Sequence, residues 1–198
     1  MKNKTFLFSI AILIVTMISQ AQITDTLFDS RDGKKYIAVK IDTQIWMAEN
    51  LNYNTNNSWC YDDSSSNCDK YGRLYTWEAA KNACPAGWHL PSDTEWTTLT
   101  NYLGSEDVAG GKLKSTKGWN SPDSGATNSS GFTAIPGGYR DLYGTFYHIG
   151  FWGMWWSSTE NYTAFAWFRY LGYDRSNVFR DYFFNKNNGF SVRCLRDK

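Results

Sequence analysis

The sequence predicts an α+β fold, with two helices packed with a small antiparallel sheet and followed by a long loop-rich half. Three observations lead to this class: strand-like alternation near the N-terminus, helical spacing of apolar residues between positions 74 and 104, and short strand patterns separated by loops from position 132 onward. The helical segments are grouped rather than alternating with strands, which is typical of the α+β class.

The first clear strand is predicted at residues 37–41. Ile37, Val39 and Ile41 recur there at every second position, and this period is typical of a half-buried strand with those side chains on one face. The following residues, 52–70, are rich in Asn, Ser and Asp and show no periodicity. We expect a loop there, held in order by its own disulfide.

Two helices are predicted next, and the second has the clearer start. The first lies within residues 74–84 and ends before Pro85. At the second, Ser92 and Glu95 fit a capping box, in which each side chain satisfies an otherwise unpaired backbone amide, and Gly104 ends the helix. The residues that share a helical face are Leu74, Trp77, Ala80 and Lys81 in the first helix and Trp96, Leu99 and Leu103 in the second.

The remaining chain is predicted to form loops and strands. Residues 105–131 are rich in Gly, Ser and Asn and indicate a long surface excursion. Residues 155–159 indicate a buried strand that leaves the core, and residues 162–171 alternate as one further strand. In the closing strand the residues that share an inward face are Phe190, Val192 and Cys194.

The N-terminus has the three parts of a secretory signal peptide. Lys2 and Lys4 give a positive start, residues 6–18 form an apolar run, and residues 19–21 supply a small-x-small cleavage site. The alternative is a membrane anchor, but the apolar run is shorter than the ~20 residues that a spanning helix needs. We therefore predict a signal peptide over residues 1–21.

Cleavage would leave residues 22–198, a length that suits a single domain. The mature protein is expected to be secreted, periplasmic or at the cell surface, with no membrane span. It would have 18 basic and 19 acidic residues, because two of the 20 lysines and arginines lie in the signal. This near-neutral balance disfavours nucleic acid and anionic membranes as partners.

Four cysteines lie in the predicted mature chain: Cys60, Cys68, Cys84 and Cys194. An even number in an exported protein indicates two disulfides. Three pairings are possible, and we predict Cys60 with Cys68, closing a small polar loop, and Cys84 with Cys194. A zinc site is disfavoured, because the cysteines form no C-x-x-C pair and the chain has only two histidines. No metal or other cofactor is predicted.

Seven motifs follow one another along the chain: WMAENL at 46–51, YGRLYTW at 71–77, CPAGWHLPS at 84–92, GGKLK at 110–114, PGGYR at 136–140, WWSSTE at 155–160 and GFSVRCL at 189–195. Together they resemble the Fibrobacter succinogenes major paralogous domain family, from about residue 30 to the end. Members are bacterial, exported and functionally undefined. The resemblance implies a single C-type lectin-like domain, in the branch shared with formylglycine-generating enzymes.

The favoured function is a binding module on the bacterial surface. Of the 35 aromatic residues, 18 lie between Tyr139 and Phe184, interleaved with amide and charged residues. Rigid aromatic rings beside such groups are typical of recognition surfaces. We expect the partner to be an unidentified glycan or surface protein. The predicted ligand-binding residues are Tyr162, Arg169, Tyr173, Asp174, Arg175, Asn177 and Arg180.

The alternative is an oxidoreductase-like enzyme related to the formylglycine-generating branch. The resemblance to that branch implies a late pair of closely spaced cysteines for copper, but Cys194 stands alone after Cys84. His89 is interpreted as structural, and Ser157 and Ser158 follow two tryptophans rather than forming a nucleophile elbow. The sequence therefore indicates a protein without catalytic residues.

Overall fold

The computed structural model describes residues 24–198, so the predicted signal peptide lies outside the described residues. In chain order the strands are β1 (Thr24–Phe28), β2 (Lys35–Ile41), β3 (Gln44–Met47), β4 (Ser58–Trp59), β5 (Leu74–Tyr75), β6 (Trp88–His89), β7 (Tyr139–Arg140), β8 (Phe146–Tyr147), β9 (Trp152–Tyr162), β10 (Phe165–Gly172), β11 (Phe179–Asp181) and β12 (Leu195–Arg196). The helices are α1 (Ser65–Tyr71), α2 (Trp77–Lys81), α3 (Asp93–Tyr102) and α4 (Glu106–Leu113), and a 3-10 turn covers Tyr61–Asp63.

The strands form separate antiparallel sheets. A five-stranded sheet has the order β1-β2-β3-β12-β6, and a three-stranded sheet has the order β11-β10-β9. Two short pairs, β4 with β5 and β7 with β8, complete the described strands. The last strand, β12, lies between β3 and β6, so the end of the chain returns to the sheet with which the described residues begin. The predicted α+β class is confirmed.

Two clusters of buried apolar side chains cover opposite faces of the five-stranded sheet. Ala38 and Met47 belong to the first cluster, and their neighbours Val39 and Trp46 belong to the second. This division follows from strand geometry, because successive side chains point to opposite faces. The sheet is therefore the middle layer of the fold, with the three-stranded sheet and the helices contributing to both clusters.

The predicted inner face of β2 is wrong at one position. Ile37 is 52% exposed, whereas its neighbours Tyr36 and Ala38 are buried in the first cluster. Val39 and Ile41 lie in the second cluster, which does not extend as far as Ile37. A two-residue period predicts a strand, but it does not show where the core beneath that strand ends.

Helix α3 begins with the predicted capping box. The Ser92 hydroxyl accepts a hydrogen bond from the Glu95 backbone amide at 3.2 Å, and the Glu95 carboxylate accepts one from the Ser92 backbone amide at 2.8 Å. Trp96 and Leu99 are buried in the second cluster, where the Trp96 ring lies 4.7 Å from that of Trp46. The prediction is confirmed because the signals that specify this helix are local.

The other helices differ from the predictions. Helix α2 spans only Trp77–Lys81, and Leu74 lies in β5. Helices α1 and α4 occupy parts of the segments 52–70 and 105–131, where only loops were predicted. Both contain several poor helix formers: α1 is rich in Ser, Asn and Asp, and α4 contains Gly110 and Gly111. Tertiary contacts hold them in place.

Both predicted disulfides are confirmed. Cys60 is bonded to Cys68, which anchors α1 to the preceding turn, and Cys84 is bonded to Cys194. Cys194, Val192 and Phe190 are completely buried in the first cluster, as predicted. The predicted closing strand is wrong in its extent, because β12 begins only at Leu195 and the intervening Ser191 and Arg193 are buried as well. The second bridge links the chain that follows α2 to the residue before β12 across 110 positions.

Helix α4 depends on a close backbone contact at Gly110. A methyl group at this position would lie 2.4 Å from the Asn177 carbonyl oxygen and 2.6 Å from that of Ser176. Gly110→Ala is therefore expected to lower the free energy of unfolding by about 1–3 kcal/mol, although alanine normally favours a helix. Urea denaturation measures the change, and Val108→Ala, at an exposed position of α4, is the control. Equal stability of the two variants would contradict the prediction.

Candidate functional site

The hairpin of β9 and β10 positions the candidate site. Tyr162 ends β9 and is paired with Phe165 at the start of β10, so residues 163–164 form the turn. The prediction of one uninterrupted strand over 162–171 is therefore wrong at its start. The predicted buried strand at 155–159 is confirmed as the middle of β9, which emerges from the core toward this turn.

Three rings near the hairpin turn form a surface cluster, which we call the aromatic strip: Tyr162, Trp167 and Tyr182. The Tyr182 ring centroid lies 4.9 Å from that of Trp167 and 6.2 Å from that of Tyr162. The rings meet edge to face, at 72° and 65°, an arrangement that aromatic pairs prefer. Tyr162 is 63% exposed and Tyr182 is 40% exposed, so both present ring surface to solvent.

Arg180 borders the aromatic strip and is held in a fixed orientation. Its guanidinium carbon lies 3.5 Å from the Trp167 ring centroid, in cation–π contact. Its Nε and Nη2 donate to the Asp93 carboxylate at 2.9–3.1 Å. Nη1 has no hydrogen-bond partner within the described chain, and the side chain is partly exposed. Arg180 thus presents a free donor beside the exposed rings.

Asp93 connects this surface to the core. It is the first residue of α3, and its amide donates to the Thr159 hydroxyl of β9 at 2.9 Å. Its carboxylate accepts from Arg180 on one side and from Arg169 Nη1 on the other, at 2.6 Å. Arg169 also donates to the Thr97 hydroxyl at 3.1 Å. Two guanidinium groups therefore share one carboxylate, which leaves a local excess of one positive charge.

Burial affects the pKa of both Asp93 and Arg169. Desolvation alone would raise the pKa of Asp93, but the hydrogen bonds from Arg180 and Arg169 outweigh it and the pKa is lowered. Burial also lowers the pKa of Arg169, opposed by its hydrogen bond and charge interaction with Asp93. Asp93 therefore stays ionised near neutral pH.

The prediction that Arg169 contacts a ligand is corrected by its position. Arg169 is completely buried beneath α3, and its guanidinium is bonded to Asp93 and Thr97. The register explains this: Arg169 is paired with Trp155, a core residue of β9, and with Arg180 of β11. Arg169 instead holds Asp93, which in turn holds Arg180.

The other predicted residues lie at the opposite end of β10. Tyr173, Asp174, Arg175 and Asn177 belong to the loop between β10 and β11, whereas Tyr162 is at the hairpin turn. An eight-residue strand separates the two ends by about 23 Å. In this loop Asp174 and Arg175 pair with each other, and the Tyr173 ring packs against Phe151 at 5.2 Å. Of the predicted ligand-binding residues, only Tyr162 and Arg180 thus contact rings of the aromatic strip.

Three residues of the site were not predicted: Trp167, Tyr182 and Asp93. The high density of aromatic residues indicated the region that holds the two rings, but not which rings would meet. Nothing in the sequence pointed to Asp93 as a site residue, because acidic residues are common in the first turn of a helix, where they interact favourably with the helix dipole. Its partners lie 76 and 87 positions away in sequence.

His89 has the structural contacts that its motif indicated. Its Nδ1 lies 2.6 Å from an Asp197 oxygen, and its Nε2 lies 3.1 Å from a Glu95 oxygen. The Ser92 hydroxyl is bonded to Glu95 rather than to His89, so no nucleophile and base are paired here. The histidine links the end of the chain to the start of α3.

Residues 24–198 contain neither a cluster of possible metal ligands nor a membrane-spanning helix. Nowhere in that range do three or more His, Cys, Asp or Glu side chains gather as a possible metal site. None of the helices in the same range is long and apolar enough to cross a membrane.

Comparison with known proteins identifies one family. The model of the Fibrobacter succinogenes major domain matches residues 39–196, which is most of the chain and includes both disulfides, α3 and all three rings of the aromatic strip. No curated protein and no solved structure matches the chain.

Proposed function

The chain belongs to the Fibrobacter succinogenes major domain family, and we propose that it is an exported module that binds a glycan through the aromatic strip. The observation that supports this most directly is the pair of exposed tyrosine rings, Tyr162 and Tyr182, beside the fixed Arg180. No finding supports the alternative of an oxidoreductase-like enzyme, and the thiol of Cys194 is occupied by Cys84.

The chemistry of the strip suits a sugar. Exposed ring faces stack against the C–H faces of pyranose rings, and burying such aromatic area is favourable. Neighbouring polar groups then bind the hydroxyl groups: Arg180 offers a free Nη1, and the Glu160 carboxylate, paired with Lys186, lies near the same hairpin turn. The rings already contact one another and need little ordering on binding, which lowers the entropic cost of association.

The finer fold assignment and the cellular location belong to the same proposal. We infer a C-type lectin-like fold because the last described strand lies in the first sheet, two disulfides brace the chain, and a loop-rich half follows the helices. Two disulfides and the absence of a spanning helix within residues 24–198 are compatible with an extracellular protein.

Replacing both tyrosines, Tyr162→Ala with Tyr182→Ala, is expected to weaken glycan binding at least about 10-fold. Truncating a central aromatic contact removes about 1–2 kcal/mol of binding free energy, and 1.4 kcal/mol corresponds to a factor of ten. Residues 22–198 would be titrated against cellulose, xylan, mannan and peptidoglycan, and the double variant would be tested on whichever binds. Tyr143→Ala is the matched control, because Tyr143 is 85% exposed on a different hairpin.

The same experiment separates a glycan from a protein partner. Binding to whole cells that persists after protease treatment and is competed by a soluble polysaccharide supports the glycan. Binding lost with protease treatment assigns the strip to a surface protein instead. A double variant that binds the polysaccharide as tightly as the original protein would place the site elsewhere.

A further inference from the structure

A cleft lies on the molecule away from the aromatic strip, between β2, the segment after β3, and α1. It has a volume of about 360 Å³, within the range of small-molecule sites. The charged residues that line it are Lys34, Lys35, Glu49, Asp69 and Lys70. Asn50 and Thr133 form part of its wall. The proposed function makes no use of this cleft.

The lysines of the cleft are not equally available. Lys34 pairs with Asp32 at 3.2 Å and donates to the Asn52 carbonyl. Lys35 and Lys70 have no carboxylate partner among residues 24–198, and Lys70 lies over the Tyr71 ring at 4.7 Å. Two ammonium groups at the cleft are therefore free to pair with a ligand.

The two carboxylates of the cleft, those of Glu49 and Asp69, also differ in how available they are to a ligand. The Glu49 carboxylate accepts a hydrogen bond from the backbone amide of Ile37 in β2 at 2.7 Å, so one of its two oxygens is already occupied. Asp69 has no ion-pair partner in the part of the chain that is described. The cleft-lining side chains available for a ligand are thus two cations and one anion, with Glu49 partly occupied.

A further positive charge lies directly behind the wall. Arg193 is completely buried and donates to the Asn50 side-chain oxygen at 2.7 Å and to the Thr133 carbonyl at 2.7 Å. Its other acceptors are the carbonyls of Met47 and Phe132, so no carboxylate touches it. Burial lowers the pKa of Arg193 to about 9, and the charge of Glu49 opposes this shift.

The charges around the cleft therefore do not balance. Lys35, Lys70 and Arg193 carry three positive charges, and Glu49 and Asp69 carry two negative charges. A cleft with walls of low dielectric concentrates such an excess field and favours a ligand of opposite sign. Since a buried cation is costly without a counter-charge, an anion in the cleft would also offset the burial of Arg193.

We propose that this cleft binds a small organic anion about the size of a monosaccharide, carrying a carboxylate or a phosphate group that pairs with Lys35 and Lys70. Ammonium groups form strong charge-assisted hydrogen bonds to carboxylates and to phosphates. Asn52, which also lines the cleft, supplies amide groups suited to the hydroxyls of an acidic sugar. The site is independent of the aromatic strip.

The test uses residues 22–198 and ligands matched in shape but not in charge. Galacturonate and galactose differ in a carboxylate, and glucose 6-phosphate and glucose differ in a phosphate. We expect saturable binding of at least one anion by calorimetry, at least 10-fold tighter than its neutral counterpart. Binding of galacturonate alone or of glucose 6-phosphate alone identifies the group recognised, and both outcomes support the site.

Variants then locate the binding. Lys35→Gln with Lys70→Gln is expected to weaken anion binding at least 10-fold with an unchanged thermal midpoint, whereas Lys117→Gln, at an exposed position elsewhere, leaves it unchanged. Tyr162→Ala with Tyr182→Ala should also have no effect, which separates this proposal from the glycan site. The proposal is overturned if neither anion binds, if neutral sugars bind equally well, or if the double lysine variant binds as the original protein does.

Discussion

Replacing Cys84 and Cys194 by serine is expected to lower the free energy of unfolding by about 2–5 kcal/mol. The bridge joins positions 110 residues apart. Closing a loop of that length lowers the entropy of the unfolded chain, which in the chain-entropy model stabilises the folded protein by about 4.7 kcal/mol. Cys194 is completely buried in the first apolar cluster, so a serine hydroxyl there would also need a hydrogen-bond partner.

The second disulfide provides the matched control. Cys60 and Cys68 are only 8 positions apart, and the same description gives about 2.5 kcal/mol for so short a loop. Denaturant unfolding of the two double-serine variants measures both effects, with the slope checked because a changed unfolded state alters it. A smaller loss for the long bridge than for the short one would contradict the expected order.

Asp93→Ala is expected to destabilise the protein by about 3–5 kcal/mol, because it leaves a buried cation without its carboxylate. The Arg169 side chain is only 1% exposed, and Asp93 is its ion-pair partner. Arg180→Ala is the control. It removes the outer, partly exposed partner of the same carboxylate, and is expected to cost less than about 1 kcal/mol.

The contribution of Asp93 should also depend on pH. Its pKa in the folded protein is below the ordinary value of 3.8, so its stabilising effect is fully present above that value and is lost as the pH falls through the folded pKa. The difference in unfolding free energy between the original protein and Asp93→Ala should therefore be constant from pH 7 to pH 5 and shrink below about pH 3.8. Equal midpoints at pH 7 would contradict the assigned role.

Two features of the fold that depend on neighbouring residues, the start of α3 and the buried strand at 155–159, were predicted correctly. Helix α3 follows from the hydrogen-bonding groups of Ser92 and Glu95, which lie three positions apart. The binding region was located only coarsely, because the number of aromatic residues in a segment does not show which of them reach the surface.

Features that depend on distant residues were not predictable in this way. Helix α4 forms although it contains two glycines, because the backbone of residues 176–177 packs closely against Gly110. Tyr173 and Tyr162 lie 11 positions apart in the chain, yet a strand places them at opposite ends of the sheet. Arg169 has the residue type of a surface ligand contact, but its pairing with Trp155 places it inside.

The sequence by itself determined the α+β class, the cap of α3, the expectation of two disulfides and the family to which the chain belongs. Each depends on residue types at short or counted spacings, and those spacings are properties of the chain before it folds. Only the tertiary structure decided that Asp93 holds both Arg169 and Arg180, and that Tyr162, Trp167 and Tyr182 form one surface. These contacts join side chains as far as 87 positions apart, and their energy depends on burial, which exists only after the sheets and helices have packed together.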